Sequence, residues 1–122
     1  MAKMGTGYVI TKLGMTMITH GLAGELKEDG IACNTLWPRT GIQTHAVKNL
    51  LGGDESMAKS RTPDIMADSA HVILTADAKL TTDNFFIDDE VLISSGMTID
   101  DLAKYSPVKG FALSKLMPDF IC

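Results

Sequence analysis

The stretch IACNTLWP, residues 31–38, is a nearly continuous apolar run in which apolar and polar residues do not alternate. This pattern is typical of a short strand that is buried on both faces, as strands of parallel sheets are. Pro38 has no backbone N–H to donate to a sheet, so it ends the predicted strand. The elements on either side of the run decide which kind of sheet it joins.

A long helix is predicted ahead of this run, over residues 8–29, with Gly30 as its end. Between residues 8 and 24 the only charged side chain is that of Lys12. A helix with so few charges is normally buried from several directions. Each glycine in a helix interior costs about 1 kcal/mol relative to alanine, which predicts close approach by another helix or backbone at three positions: Gly14, Gly21 and Gly24.

Two helices and a second strand are predicted after the run. The helices cover residues 43–51, closed by Gly52 and Gly53, and residues 62–75, with Thr62 as N-cap. NFFID, residues 84–88, is the second buried strand. A strand–helix–strand order implies a parallel sheet. The predicted fold class is therefore α/β, with a long helix followed by a βαβ unit in one domain of residues 1–122, whose residues 97–122 form an irregular tail.

The composition is that of an ordinary globular domain: 122 residues, 45% hydrophobic, 21% charged, with a net charge of −4. A mild acidic excess without a Lys/Arg cluster argues against nucleic acid and against a membrane as partner. With only Cys33 and Cys122 and no apolar leader, the expected location is the reducing cytoplasm. The three histidines are scattered, so no metal site is expected, and IDDE, residues 87–90, is interpreted as a solvated acidic turn.

Tyr8 and Lys12 lie one helical turn apart and share a face of the predicted long helix. An ammonium group beside a phenol favours the phenolate, which makes the tyrosine usable as a proton donor and acceptor near neutral pH. The spacing alone also allows a plainer interpretation, in which Lys12 extends to solvent from an amphipathic helix.

The surrounding residues make the pair more specific. YVITKLGMTMITHGLAGEL (8–26) and GIACNTLWPRTGIQT (30–44) together resemble the short-chain dehydrogenase/reductase family, in which a Y-x-x-x-K helix precedes an N-x-x-x-P strand and a cofactor-facing loop. NTLWPRTGIQT, LLGGDESMAKSRTPDIMADSAHVILT and NFFIDDEVL are similar to its hydroxysteroid dehydrogenase-like branch. The resemblance covers residues 8–92 and, more loosely, LMPDF near the end. It implies the C-terminal half of a Rossmann-like, doubly wound parallel sheet.

By this resemblance, Tyr8 is the general acid/base of an alcohol/carbonyl oxidoreductase that uses NAD or NADP, and Lys12 contacts both the tyrosine and the nicotinamide ribose. Asn34 is implied to be structural. Arg39 stands where most of the family has glycine, as in the hydroxysteroid dehydrogenase-like branch. The loop after the strand would face the cofactor through four residues: Pro38, Thr40, Ile42 and Thr44.

The family's glycine-rich phosphate-binding turn would lie ahead of the tyrosine, where only seven residues precede Tyr8, and GTG at residues 5–7 has no strand before it. We therefore expect little activity from the chain alone. An unpaired strand edge and a bared helix face also predict a homo-oligomer or association with a related chain. Two alternatives stay open: a non-enzymatic interaction protein that pairs with a full-length relative or a separate N-terminal half, and a shortened product of a longer reading frame.

Overall fold

The computed structural model describes residues 5–50, 52–108 and 116–118. Two strands, five α-helices and one short 3-10 helix are found in these ranges. The strands are β1 (Thr35–Trp37) and β2 (Phe85–Ile87). The α-helices are α1 (Thr6–Glu25), α2 (His45–Leu50), α3 (Gly53–Ala58), α4 (Asp64–Leu74) and α5 (Asp88–Ser94), and the 3-10 helix is Asp101–Tyr105.

The two strands form a parallel pair, with Thr35 opposite Phe85 and Trp37 opposite Ile87. The α/β fold class and the βαβ unit predicted from the sequence are therefore confirmed. The regular part of β1 is shorter than the predicted 31–38. Asn34, just before β1, donates to the carbonyl of Thr81 at 2.8 Å and accepts from the backbone N–H of Asn84 at 3.1 Å, which ties together the starts of the two strands.

The core lies between α4, α5 and the 3-10 helix. Ile65, Leu92, Leu102 and Tyr105 are each at most 2% exposed and form one cluster. The hydroxyl of Tyr105 donates to Asp68 on α4 at 2.5 Å, so the 3-10 helix is held to α4 by a polar bond beside the apolar contacts. This helix lies within residues 97–122, and the part of that segment beyond 108 is described only at 116–118.

The expectation that the long helix is buried from several directions is wrong for this chain. Ala23 is the one buried residue of α1, and Met17 and Ile18 are 74% and 65% exposed. A Cβ added at Gly14, Gly21 or Gly24 would meet nothing within 4 Å, so no close neighbour explains these glycines. The physical reason is that the described residues meet α1 at few places, chiefly where Trp37 bonds to Thr16 and where His20 bonds to Asp83.

Two helices were not predicted from the sequence. Gly52 has φ of +117° and precedes α3, so the glycine pair begins a second helix as well as ending the first. α5 begins directly after β2, where an acidic turn was predicted. Predicted helix 62–75 is observed as Asp64–Leu74, with Pro63 in the N-cap position.

Candidate active site

The direction of α1 is fixed by two hydrogen bonds to the sheet region. His20 Nδ1 lies 2.7 Å from Asp83 Oδ1, just before β2 begins, whereas Trp37 Nε1, at the end of β1, donates to Thr16 Oγ1 at 3.1 Å. α1 therefore runs antiparallel to the strands. At 1.5 Å per residue, Lys12 and Tyr8 lie about 6 and 12 Å further along the helix axis than Thr16. Both residues are placed toward the carboxyl end of the sheet, where open α/β folds bind ligands.

Tyr8 and Lys12 are in contact. Lys12 Nζ lies 5.6 Å from the centroid of the Tyr8 ring, within the range of a cation–π interaction. Tyr8 is 43% exposed and Lys12 is half-buried. The pair thus has a phenol that solvent or a substrate can reach, with an ammonium group beside its ring.

The loop between β1 and α2, residues 38–44, is pinned on two sides. Gly41 donates to the carbonyl of Met117 at 2.8 Å and accepts from the N–H of Arg61 at 2.9 Å. Gln43 donates to the carbonyl of Arg61 at 2.9 Å. A Cβ at Gly41 would lie 2.6 Å from Met117 Cε and 2.8 Å from Ser60 Oγ, so a larger residue here would have to displace the ends of these two side chains. Loop 38–44 is therefore a fixed strand-like segment.

The four loop residues that are expected to contact a cofactor differ in burial and in hydrogen bonding. Across residues 5–50, 52–108 and 116–118, neither the N–H nor the carbonyl of Ile42 takes part in a backbone hydrogen bond. Thr40 is 5% exposed and its hydroxyl donates to the Gly41 carbonyl at 3.3 Å. Thr44 is exposed, and its hydroxyl oxygen accepts from the N–H of Val47 at 3.3 Å, which caps α2. Pro38 is half-buried at the start of the loop.

A group of four charged residues, which we call the Arg–Asp cluster, lies under this loop: Arg39, Arg61, Asp88 and Asp89. The two carboxylates are 0% and 5% exposed, so the expectation of a solvated acidic turn is wrong. Both oxygens of Asp89 accept from Arg39 Nε at 2.8 Å, and Asp89 Oδ2 also accepts from Arg61 Nη1 at 3.2 Å. Asp88 Oδ1 accepts from the backbone N–H of Arg39 at 3.0 Å. Burial of Asp89 is compensated by the two guanidinium groups, whereas burial of Asp88 is compensated only in part, because backbone donors reach one of its two oxygens.

The electrostatics of the cluster follow from this geometry. Burial raises the pKa of Asp88 above its usual 3.8, and the N–H groups of Arg39 and Asp89 offset part of that effect. The hydrogen bond to Asp89 raises the pKa of Arg39, whose second acidic partner is the exposed Glu90. Sequence inspection missed this cluster as a unit. Its one local signal is Arg39 in the place where most of the family has glycine.

The remaining features considered in the sequence add nothing to this site. His20 has a side chain that is 65% exposed and bonded to Asp83. Among the residues described, no group of three or more His, Cys, Asp or Glu is arranged to hold a metal ion. In the same part of the chain, no helix combines the length and apolar character needed to cross a bilayer.

The chain is similar in sequence to two curated proteins of the same name. Hydroxysteroid dehydrogenase-like protein 2 of Xenopus tropicalis is 45% identical over 113 residues, and the human protein of that name is 38% identical over 118 residues. The matches cover 93% and 97% of this chain but only 25% and 26% of the relatives. No family model matches the chain.

Two solved structures share the fold. A short-chain dehydrogenase of Mycobacterium thermoresistibile superposes with a TM-score of 0.79 at 46% identity, over 93% of this chain and 39% of its own. A structure from Xanthomonas campestris described as a dehydrogenase superposes with a TM-score of 0.82 at 45% identity, over 96% and 40%. The resemblance to the short-chain dehydrogenase/reductase family, in its hydroxysteroid dehydrogenase-like branch, is therefore confirmed for the part of that fold that this chain spans.

Proposed function

We propose that this chain supplies the acid/base part of an NAD- or NADP-dependent oxidoreductase acting on an alcohol/carbonyl pair, and that it has little or no turnover by itself. The observation that carries this proposal is the contact between Lys12 and Tyr8 at the end of α1 that points to the carboxyl edge of the sheet. The proposed compartment is the cytoplasm, where Cys33, which forms no disulfide, stays reduced.

The roles of the side chains follow from their chemistry. In the reducing direction, the Tyr8 hydroxyl donates a proton to the carbonyl oxygen while a hydride reaches the carbonyl carbon; in the oxidising direction it accepts the hydroxyl proton. The Lys12 ammonium group lies 5.6 Å from the centroid of the Tyr8 ring, so a positive charge adjoins the residue that gives up the proton. When bound, the nicotinamide cofactor supplies or accepts the hydride.

The residues present fit one end of that cofactor. The N–H and carbonyl of Ile42, which have no backbone partner within the described ranges, suit the two functions of a carboxamide group. A glycine-rich turn for the pyrophosphate is absent from these 122 residues. The remainder of the cofactor site is proposed to come from the rest of a dehydrogenase fold, of which this chain spans about two fifths.

A fusion tests the acid/base role. The chain is joined behind the part of the Mycobacterium thermoresistibile enzyme that precedes the matched region, and NADH oxidation is followed with a panel of ketones and aldehydes. Tyr8→Phe is expected to lower turnover at least about 100-fold, because the proton donor is lost. Tyr105→Phe is the matched control, since it makes the same change at the other tyrosine, whose hydroxyl bonds to Asp68, and its turnover per folded molecule should stay near that of the parent. Equal turnover in the parent and Tyr8→Phe would contradict the proposed role.

A second function is favoured by the exposed surface of this chain: pairing with a related chain. A groove lined by Thr19, Leu22, Cys33, Asn34, Ile73 and Leu74, here called the β1 groove, has a volume of about 610 Å³ between α1 and the end of α4. Its floor includes the segment that leads into β1. In the sheet of the described residues β1 pairs with β2 along one edge, and no described strand pairs with its other edge. We propose that the preceding part of a dehydrogenase chain occupies it, because an added strand would pair with this edge.

Association is measured on the purified chain by light scattering after size-exclusion chromatography. We expect an oligomer or large assemblies, because the outer face of α1 exposes Met17 and Ile18. Met17→Lys together with Ile18→Lys should shift the chain toward the monomer. Leu80→Lys is the control, since Leu80 is 84% exposed and belongs to the segment between α4 and β2 rather than to α1. A monomeric parent chain that captures no preceding-half fragment when the two are mixed would contradict the pairing function.

A further inference from the structure

The Arg–Asp cluster connects loop 38–44 to two separate elements. Arg39 is the second residue of the loop, Asp88 and Asp89 are the first two residues of α5, and Arg61 lies between α3 and α4. The sequence separations of the bonds are 49 and 50 residues from Arg39 to the two aspartates, and 28 from Arg61 to Asp89. The loop is therefore joined to the start of α5, directly after β2, by the ion pair between Arg39 and Asp89 and by the hydrogen bond from the Arg39 N–H to the Asp88 carboxylate.

Asp89 is the centre of this connection. Its carboxylate receives Nε of Arg39 on both oxygens and Nη1 of Arg61 on one. The backbone of the same Arg61 bonds to the loop on either side of Ile42, through the Gly41 carbonyl and the Gln43 N–H. The Asp89 carboxylate thus binds the side chain of Arg39, at the start of the loop, and that of Arg61, whose backbone bonds to the residues on either side of Ile42.

Neighbouring acids contribute less to this bond pattern. Glu90 contacts Arg39 Nη2, but its side chain is 62% exposed, and a salt bridge in that position is screened by solvent. Asp88 accepts backbone donors through one oxygen and lies 3.7 Å from Arg61 Nη1 through the same atom. Among the residues described, Asp89 is therefore the acid that binds Arg39 Nε, and it does so through both carboxylate oxygens.

We infer that Asp89 is a positioning residue: through Arg39 and Arg61 it fixes loop 38–44 so that the backbone groups of Ile42 are held in one orientation. The inference rests on the proposed function for its consequence, which is that the nicotinamide end of a cofactor meets a preformed site. Its structural part stands without any cofactor. Arg39 and Arg61 act as the two connecting side chains, and none of the three is expected to touch the reacting atoms.

The test is amide hydrogen exchange of the full 122-residue chain, followed residue by residue by NMR. Asp89→Asn is expected to speed exchange of the Gly41 and Gln43 amides at least about tenfold, while the Ser69 amide within α4 changes less than about twofold. Glu90→Gln, the adjacent acid on the same guanidinium, is the matched control and should leave all three amides near parent rates. Arg39→Ala, whose side chain is 37% exposed and whose loss spares the core, should loosen the loop as Asp89→Asn does.

Unchanged Gly41 and Gln43 exchange in folded Asp89→Asn, or in Arg39→Ala if Asp89→Asn does not fold, would overturn the inference. So would a uniform rise at all amides in Arg39→Ala, because that would show a loss of global stability rather than of loop position. Since no cofactor is present in this experiment, its result is independent of whether the proposed oxidoreductase function is right.

Discussion

Asp88 has a fully buried carboxyl group in which only one oxygen finds a hydrogen-bond partner among the described residues. Arg61 is equally buried, and its Nε and Nη2 also lack partners there. Unpaired buried polar atoms cost free energy because they have lost water without replacing it. The Arg–Asp cluster therefore costs some folding free energy while it holds loop 38–44. The size of this cost at Asp88 depends on whether its carboxyl group is protonated.

That dependence gives a prediction with a definite sign. Burial raises the pKa of Asp88 above 3.8, so its contribution to the free energy of unfolding is full below about pH 3.8 and is lost as pH rises through the folded-state pKa. Asp88→Asn removes this term. The difference in unfolding free energy, parent minus Asp88→Asn, should fall as pH rises from acid to neutral in urea titrations.

The exposed Asp54→Asn on α3 controls for a simple change of net charge. A parent-minus-variant difference for Asp88→Asn that rises with pH would show that its bonds to Arg39 and Arg61 outweigh burial. A flat difference would show that Asp88 does not change its pKa on folding.

Among the elements, α1 has the apolar composition of a buried helix, but most of its surface is exposed. It is apolar on most of its faces, yet Ala23 is its one buried residue. Gly21 lies on the exposed part, where an added Cβ would meet nothing. A helix interior favours alanine over glycine by about 0.5–1 kcal/mol when no neighbour intervenes.

Gly21→Ala should therefore raise the thermal midpoint of the isolated chain, corresponding to a gain of about 0.5–1 kcal/mol. Gly96→Ala is the matched control: open space surrounds it too, but its φ of +107° strains any other residue, so this change should destabilise. The same Gly21→Ala change should weaken binding of a partner that packs closely on α1. Stabilisation of the isolated chain with unchanged partner binding would mean that the partner does not approach this glycine.

The sheet and the acidic segment show how much the sequence could predict. The unalternating run before Pro38 and the order of elements predicted the parallel pair, because these signals are local. The N-x-x-x-P context also predicted the structural role of Asn34. The burial of Asp88 and Asp89 depends on Arg39 and Arg61, which are distant in sequence, and local composition indicated a solvated turn instead.

For the whole molecule, the share of the fold that the chain spans explains why the predicted burial of α1 was wrong. Few charges and three glycines predicted burial on several sides, and that is a sound inference for a helix in a complete fold. The chain spans about a quarter of its curated relatives and two fifths of the solved structures it resembles. The apolar residues and glycines of α1 therefore predict contacts that the described residues do not supply. The Tyr8–Lys12 assignment stays a prediction until chemistry is measured.

The central claim is that this chain carries the acid/base pair and the nicotinamide-facing loop but not the whole cofactor site. The most direct test is a titration with NADH and NADPH that follows the fluorescence of Trp37, the residue before loop 38–44. We predict no saturable change up to millimolar cofactor for the chain alone, and a saturable change once the preceding half of a related dehydrogenase is joined to it. Saturable micromolar binding by the isolated chain, or no binding by the joined protein, would contradict the account.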